Sequence, residues 1–463
     1  MKSCVPHRRI QLRTLWSFFL IVVLFGCSAI GQATATNSCA ALQEREEAGS
    51  EFVFNVFDQL KKDFYDPDSL KPVELFNASL DGLAKHLKSK NLNFSPEKIP
   101  ADSDYPAVKA KFAAEFGKAG KLAAGIVLEK HELAFTAAHM LLAAVGDSHT
   151  SFIEPKLWDT EKKETSGAAM FSGISVSLRK LEDNFFCCDW VFPDGPADKA
   201  GVKRFDRIVL VNGEPAGNDT AKLAERIRGL RGTEVKLTIE RNNERKEFSI
   251  KRGDIIQPST SETVIKDGSH SFGYLHIYSF MLENSWKETL RHAMFKEGVD
   301  KVGGFIIDLR GNPGGYLHVL EKILQVFLEA GTKCFVTKNT SGESEFIVPI
   351  GPMTRLPLVV LVDESSASAS EIMSGVLQEQ GRAVIVGKKT AGAVSVGQRV
   401  ELPFESAMSV AVYQFFTAKG KKLEKEGVTP DVAVENTKDD ITKGRDVQLE
   451  RAVETLKEKV KKE

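Results

Sequence analysis

A serine-rich turn at residues 366–371 is the segment of this sequence best suited to chemistry. It reads Ser366-Ala367-Ser368-Ala369-Ser370-Glu371 and lies between the apolar run Leu358–Val362 and a predicted helix over Ile372–Gln380. A hydroxyl there would lie at a helix N-terminus, where unpaired N–H groups favour negative charge. Such groups can stabilise the oxyanion that forms when a serine attacks a carbonyl. The same residues also fit a capping box, in which Ser368 and Glu371 only close the helix start, and the pattern alone leaves both interpretations open.

A glycine-rich loop is the second candidate. The segment Asp308-Leu309-Arg310-Gly311-Asn312-Pro313-Gly314-Gly315 follows an apolar run and precedes a predicted helix. Glycines at this point let backbone N–H groups approach a ligand closely. A phosphate-binding loop does not fit, because no Gly-Lys-Ser/Thr follows. The loop is therefore expected to supply oxyanion donors or, as the alternative, to form only a tight turn.

His149 is the candidate general base among the nine histidines. It lies in Gly146-Asp147-Ser148-His149-Thr150, just after a predicted helix, and loop residues of this kind can reach a site. The imidazole pKa lies near neutral pH, as general-base catalysis requires. His276 and His318 fall on a predicted strand and a helix start, and we assign them structural roles. No Cys/His spacing predicts a metal site, so neither a metal nor a cofactor is expected.

Composition limits the possible classes of protein. A chain of 463 residues is long enough for two or three domains. Its 62 Lys and Arg residues nearly balance 63 Asp and Glu residues, which gives a formal charge of −1. This balance offers no electrostatic basis for nucleic-acid binding, and no nucleic-acid partner is expected. Six cysteines in a chain of this length do not indicate a disulfide framework.

The first 36 residues predict a signal peptide. Four basic residues precede the apolar stretch Leu15–Gly26, which is too short to span a bilayer. Small residues up to Ala35 offer a cleavage site, whereas Leu24-Phe25-Gly26-Cys27 resembles a bacterial lipobox that would leave Cys27 lipidated. We therefore expect an exported protein, periplasmic or extracellular, with membrane anchoring through Cys27 as an open alternative.

The rest of the chain divides by pattern into four segments. Residues 37–165 have helical apolar spacing, and residues 166–254 alternate short β-rich stretches with turns. Residues 255–435 alternate apolar runs with helices, which predicts crossover units, and residues 436–463 form a charged C-terminal helix. The predicted fold class is α/β and multi-domain, with an inserted β-rich domain.

The inserted segment resembles a PDZ domain of the kind found in bacterial processing proteases. The resemblance rests on residues 171–174, on the Gly-Pro-Ala turn at residues 195–202, and on residues 206–213. It departs from the family at Phe205, where glycine is usual. PDZ domains capture a peptide C-terminus by adding it as a strand to a sheet edge. The resemblance implies that the terminal carboxylate binds at a loop made of Phe171, Ser172, Gly173 and Ile174.

Residues 305–315 and 357–375, with the closing motif at residues 427–431, resemble the carboxyl-terminal processing (tail-specific) serine peptidases. This resemblance implies that Ser368 is the nucleophile and that the N–H groups of Gly314 and Ala369 line the oxyanion hole. The family places its general-base lysine in a Thr-Phe-Gly-Lys-Gly motif, whose counterpart here is Thr390-Ala391-Gly392-Ala393-Val394. Ala393 therefore occupies the lysine position.

Alanine cannot accept a proton, so a catalytic chain must supply another base. The wider group includes tricorn-type peptidases with a Ser–His–Glu site, and that resemblance implies His149 as the base and Glu424, favoured over Glu426, as its orienting acid. Lysine-using members carry a similar Asp-x-His-Thr loop, so a structural role for His149 is the alternative. The prediction is an exported serine endopeptidase that acts on protein or peptide substrates with free C-termini. The alternative, which Ala393 keeps open, is a catalytically inactive peptide- or lipophile-binding protein on the same scaffold.

Overall fold

The computed structural model describes residues 48–165, 172–182, 184–255, 258–281, 284–295 and 302–461. The predicted signal peptide, Cys27 and Phe171 lie outside these ranges. In the described ranges, every helix is too short or too polar to cross a bilayer.

The N-terminal part is helical, as its apolar spacing predicts. Its elements are α1 (48–63), α2 (Pro72–Ser89), α3 (Tyr105–Ala123), α4 (Glu132–Ala143), strand β1 (Ser151–Ile153) and α5 (Pro155–Thr165). Phe52, Val56 and Leu60, spaced four residues apart on α1, are all buried. Their cluster also contains Met408 and Val410 from far along the chain, so this region shares its core with the C-terminal half.

The β-rich segment is built on an antiparallel sheet in the order β3-β4-β5-β7-β8, with β6 paired to β5. Its elements are β2 (Ser172–Gly173), β3 (Val176–Glu182), β4 (Phe185–Val191), α6 (Pro196–Ala200), β5 (Arg207–Val211), β6 (Glu214–Pro215), α7 (Thr220–Ile227), β7 (Glu234–Arg241), β8 (Glu244–Lys251) and β9 (Gly253–Asp254). Strand β3 forms one edge of this sheet and packs against α7.

Phe205, at the position where glycine is usual in PDZ domains, adopts a left-handed backbone conformation. Its φ is 70°, and its N–H donates to the carbonyl of Cys188 at 2.7 Å. A bulky residue in the left-handed region is strained and persists only when its surroundings hold it. The buried ring packs with Phe185, Cys187 and Ile441, and these contacts offset the strain.

The α/β segment is built on a sheet in the order β10-β11-β12-β15-β16-β19, parallel from β11 to β19 with β10 antiparallel at the edge. Its elements are β10 (Thr260–Asp267), β11 (His270–Ile277), α8 (Asn284–Phe295), β12 (Phe305–Asp308), α9 (Leu317–Phe327), β15 (Leu358–Val362), α10 (Ala369–Glu379), β16 (Val384–Gly387) and β19 (Val432–Ala433).

Helices cover both faces of this sheet. Phe305 and Ile307 of β12 pack in the cluster that contains α9 and α10, whereas Ile306 between them packs against α12. The chain closes with α11 (Lys438–Thr442) and α12 (Val447–Val460). Strands buried on both faces explain the continuous apolar runs of the sequence, and the α/β fold class is confirmed.

A second, antiparallel sheet was not predicted. It runs β1-β18-β13-β14, with β17 also paired to β18. Its further strands are β13 (Lys333–Asn339), β14 (Gly342–Ile347), β17 (Val396–Glu401) and β18 (Ala407–Thr417). Because β1 begins two residues after His149, its pairing with β18 brings the histidine loop to the α/β segment.

Candidate active site

The glycine loop, the serine turn and the segment with Ala393 follow the carboxyl ends of parallel strands. Strand β12 ends at Asp308 and leads into the glycine loop, β15 ends at Val362 and leads into the serine turn, and β16 ends at Gly387 before the segment that contains Ala393. Ligands of open α/β sheets bind at this edge, outside the carboxyl ends of the strands.

Ser368 stands at a sharp turn between β15 and α10. Its φ of 53° and ψ of −118° are strained for a residue with a side chain, and its side chain is partly exposed. A serine on a strained strand-to-helix turn presents its hydroxyl outward, which is the geometry of a nucleophile elbow. Ala369 is the first residue of α10, so its N–H lies at the helix N-terminus beside that hydroxyl.

Glu371 joins the serine turn to the segment at residues 390–393. The capping-box pairing with Ser368 is present, and the carboxylate accepts the Ser368 N–H at 3.2 Å. It also accepts from the Thr390 hydroxyl at 2.5 Å and from the N–H groups of Gly392 and Ala393 at 2.6 and 2.8 Å. Burial raises the pKa of Glu371, although these hydrogen bonds oppose that shift. The Glu371 carboxylate therefore both caps α10 and holds the segment at residues 390–393 in place.

Gly314 lies against the nucleophile. A Cβ at this position, where φ is +100°, would come within 2.6 Å of the Ser368 Cβ and 2.9 Å of the Ala369 nitrogen, so only glycine fits. The Gly314 N–H, however, donates to Asn312 Oδ1 at 2.8 Å, and the Asn312 amide donates to the Ile277 carbonyl at 2.7 Å. The structure brings Gly314, Ser368 and Ala369 together, with the Gly314 N–H directed at Asn312 in this conformation.

The His149 loop is held mainly by Asp147. One Asp147 oxygen accepts the His149 N–H at 2.8 Å, and the other accepts the Ser395 hydroxyl at 2.8 Å. Gly397 lies so close that a Cβ there would be 3.2 Å from the His149 Cβ. Burial lowers the pKa of His149, while Asp147 and Glu424 act in the opposite direction. The imidazole is consequently neutral at neutral pH, the form that can accept a proton.

Glu424 is buried below the same loop. It accepts hydrogen bonds from the N–H groups of Val394 at 2.8 Å, Ser395 at 3.0 Å and Ser148 at 3.4 Å. Burial raises the pKa of Glu424, but its hydrogen bonds to Val394, Ser148 and Ser395 outweigh burial, so the pKa lies below its usual value. This carboxylate is therefore ionised at neutral pH.

Ser148 connects the two groups and was missed as a functional residue. Within the described residues, no hydrogen bond joins Glu424 directly to the His149 ring; the Ser148 hydroxyl lies 2.8 Å from His149 Nδ1 instead. The only signal in the sequence was its place next to His149, and a serine beside a histidine is too common to identify a role. The lysines after β16 do not enter the site: Lys388 pairs with Glu435 at 2.6 Å and Lys389 is exposed.

Buried ion pairs brace the glycine loop and the serine turn. Arg310, fully buried, pairs with Asp308 and with Asp446, the latter at 2.7 Å. Asp363, just after β15, accepts the Gly311 N–H at 3.0 Å and pairs with Arg179 of the β-rich segment. Buried charges of this kind are tolerated only when they are paired.

His276 is fully buried and stays neutral. Burial lowers its pKa to about 4, its Nε2 lies 3.2 Å from the Arg310 carbonyl, and its ring packs on Trp190. These contacts agree with a structural role.

The predicted carboxylate-binding residues that the structure describes make contacts within the β-rich segment. Ser172 and Gly173 form β2, which pairs with β9, and the Ser172 carbonyl accepts the Gly229 N–H at 3.2 Å. The Ile174 side chain is buried in the core of the β-rich segment. Among the described strands β3 pairs only with β4, and it packs against α7.

Two family models match the chain. One, described as peptidase family S41, matches residues 271–434, and the other, described as PDZ domain, matches residues 172–251. A carboxyl-terminal-processing protease of Picosynechococcus sp. is 30% identical over 313 residues, which cover 66% of this chain and 74% of that protein. The carboxy-terminal processing protease CtpB of Bacillus subtilis is 29% identical over 345 residues, which cover 73% and 70%.

A solved structure has the same fold. The photosystem II D1 C-terminal processing protease superposes with a TM-score of 0.52 at 19% identity, over 83% of this chain and 92% of that one.

Proposed function

This chain belongs to peptidase family S41, the serine-type carboxyl-terminal processing proteases, and on that premise we propose that Ser368 is its nucleophile, His149 its general base and Glu424 the acid that orients the base. The observation that carries this proposal is the strained Ser368 turn, packed against Gly314 and opening α10. Backbone strain at a site of this kind persists where function requires a fixed geometry.

Proton transfer follows from the hydrogen bonds around His149. The neutral imidazole takes the Ser368 proton as the hydroxyl oxygen bonds to the substrate carbonyl carbon. It then gives this proton to the departing amine, and in the second half of the cycle it deprotonates the water that hydrolyses the acyl-enzyme. Ser148 contacts both groups, with its hydroxyl 2.8 Å from His149 Nδ1 and its N–H donating to Glu424 at 3.4 Å, so the ionised acid holds the residue that supports the imidazolium.

The oxyanion forms beside two backbone donors. Ala369 offers the first N–H of α10, and Gly314 offers a second once its hydrogen bond to Asn312 Oδ1 opens or is shared. Catalytic hydrogen bonds often tighten only when substrate is bound, which is consistent with this resting conformation.

Substrate selection is assigned to the β-rich segment. The β3 edge beside α7 is suited to strand addition by an extended peptide, with the terminal carboxylate at the binding residues predicted from the sequence. Together with the predicted signal peptide, this supports an exported endopeptidase that recognises protein substrates by their C-termini.

The alternative is a binding protein without catalysis, and Ala393 is the observation that favours it. A chain without the family lysine, whose histidine served only to shape its loop, would still bind peptides. The two functions differ in the reactivity of Ser368.

Labelling by a fluorophosphonate probe separates them. We expect the wild-type chain to be labelled, Ser368→Ala and His149→Ala to lose labelling, and the exposed control Lys389→Ala to keep it. Full labelling of His149→Ala would refute the assigned base. Absence of labelling in the wild type, with peptide binding intact, would establish the alternative.

Peptide binding to Ser368→Ala tests the assigned recognition mode. A peptide with a free C-terminus should bind, and the same peptide amidated at its C-terminus should bind much more weakly. Equal binding of both peptides would rule out recognition of the carboxylate.

A further inference from the structure

Two large apolar side chains next to the glycine loop are exposed to solvent. The exposed fractions are 51% for Met281 and 47% for Tyr316. Met281 lies four residues after the end of β11, and Tyr316 lies between the glycine pair and α9. Exposed side chains of this size, when they lie beside each other at a site, are candidates for contact with a bound ligand.

Backbone contacts fix both residues beside Gly314 and Gly315 of the glycine loop. Phe280 and Gly315 form a parallel β-bridge, in which the Phe280 N–H donates to the Gly314 carbonyl at 2.8 Å and the Tyr316 N–H donates to the Phe280 carbonyl at 3.1 Å. A Cβ on Gly315 would lie 2.5 Å from the Met281 nitrogen. Met281 and Tyr316 each follow one bridge residue, so they are themselves neighbours across the two strands.

Ser279 strengthens this link. Its buried hydroxyl accepts the Met281 N–H at 3.0 Å and donates to the Gly314 carbonyl at 3.3 Å. Gly314 in turn packs on the Ser368 Cβ. The path from Met281 to the nucleophile thus consists of adjacent, hydrogen-bonded residues, and a substrate bond attacked by Ser368 would lie within reach of both exposed side chains.

We propose that Met281 and Tyr316 form an apolar wall that contacts the substrate side chain flanking the scissile bond and selects apolar residues there. This inference rests on the proposed function. An apolar substrate side chain would remove this exposed surface from water, whereas a charged or small side chain would not gain that contact.

The test compares substrates that differ at one position. Peptides of one sequence, with Leu, Phe, Ser or Glu at each of the two positions flanking the cleaved bond, are used to measure kcat/KM. We expect the wild type to favour Leu and Phe at one of these positions, and we expect Met281→Ser and Tyr316→Ser each to reduce that preference roughly tenfold.

Ile350→Ser is the matched control. Ile350 is 59% exposed, and its neighbour Gly351 packs on the Gln325 and Leu328 carbonyls at the far end of α9 from Tyr316. The control should keep the wild-type preference. Fluorophosphonate titration gives the concentration of reactive Ser368 in every variant, so a folding defect does not alter the measured preference.

Two results would contradict the proposed role of Met281 and Tyr316. One is an unchanged Leu-to-Ser ratio in both variants at normal active-site concentration, and the other is a wild type that favours Ser or Glu at both positions. A wild type without any reactive Ser368 would refute the proposed function instead, which keeps the two failures distinct.

Discussion

The N–H of Ser368 donates to the carbonyl oxygen of Ala393 at 2.8 Å. The position that carries lysine in the lysine-dependent family members therefore contacts the nucleophile directly, yet its methyl side chain cannot take part in proton transfer. Nearby, Val394 and Ser395 bind Glu424, and Ser395 binds Asp147. One short segment thus contacts the nucleophile and supports the proposed histidine base.

Ala393→Lys should restore part of the reactivity that His149→Ala removes. A lysine at this position begins beside Ser368, and partial burial would lower its pKa toward the range of a general base. Fluorophosphonate labelling of the double variant is expected to exceed that of His149→Ala alone, with Lys at the exposed position 391 (Ala391→Lys) as the control. Equal labelling of the double variant and His149→Ala would contradict the expectation.

Removal of the Ser148 hydroxyl should slow catalysis without weakening substrate binding. Ser148→Ala deletes the hydrogen bond to His149 Nδ1 but keeps the Ser148 N–H that donates to Glu424. The loss of one such bond corresponds to about a tenfold lower kcat. Ser148→Thr keeps the hydroxyl and should retain most activity, and Ser151→Ala on β1 serves as the control. A normal kcat for Ser148→Ala would show that Glu424 acts on His149 by another route.

The pH profile of kcat/KM should have its acid limb below pH 6.5. Burial lowers the pKa of His149 from 6.5, so the base stays unprotonated and active at pH values where an ordinary histidine is charged. Asp147 opposes this shift, and Asp147→Asn should therefore move the limb to lower pH. An acid limb above pH 6.5, or one that moves upward in Asp147→Asn, would be inconsistent with His149 as the base.

Asp446→Asn should destabilise the fold at neutral pH but much less in acid. Burial raises the pKa of Asp446, but Arg310 and Arg204 outweigh burial and lower it well below 3.8, so its ion pairs stabilise the protein above the unfolded-state pKa and are lost as pH falls. Removal of one partner of a buried pair costs about 3–5 kcal/mol. Urea unfolding at neutral pH and at a pH below 3.8 measures the free energy of unfolding of wild type and variant. An equal loss of stability at the two pH values would contradict the prediction. Asp439→Asn, at the exposed start of α11, is the control.

The central parallel strands β12 and β15 could be predicted because both of their faces are buried. The run Leu358–Val362 is fully buried, so its apolar pattern is continuous and local. The second sheet could not be predicted in the same way. Its pairing of β1 with β18 joins Ser151 to Ser409, and nothing in either segment specifies a partner at that distance along the chain.

The candidate site shows the same division. Ser368 and the glycine loop could be singled out from local motifs, because strand, turn and helix follow one another there. Three other features depend on how separate loops meet. They are the hydrogen bond from the Gly314 N–H to Asn312, the four hydrogen bonds that Glu371 accepts, and the contact of Ser148 with His149. Those contacts are set by tertiary packing and leave no local pattern.

Arg179 has a consequence for how this enzyme could be engineered. It lies between Asp189 of its own β-sheet, at 3.2 Å, and Asp363 of the loop that leads to Ser368. Excision of residues 172–254 would leave Asp363 buried without its cation, at the start of the nucleophile loop. The β-rich segment therefore cannot be removed without loss at the nucleophile loop. A PDZ domain exchanged for it would need an arginine where Arg179 contacts Asp363.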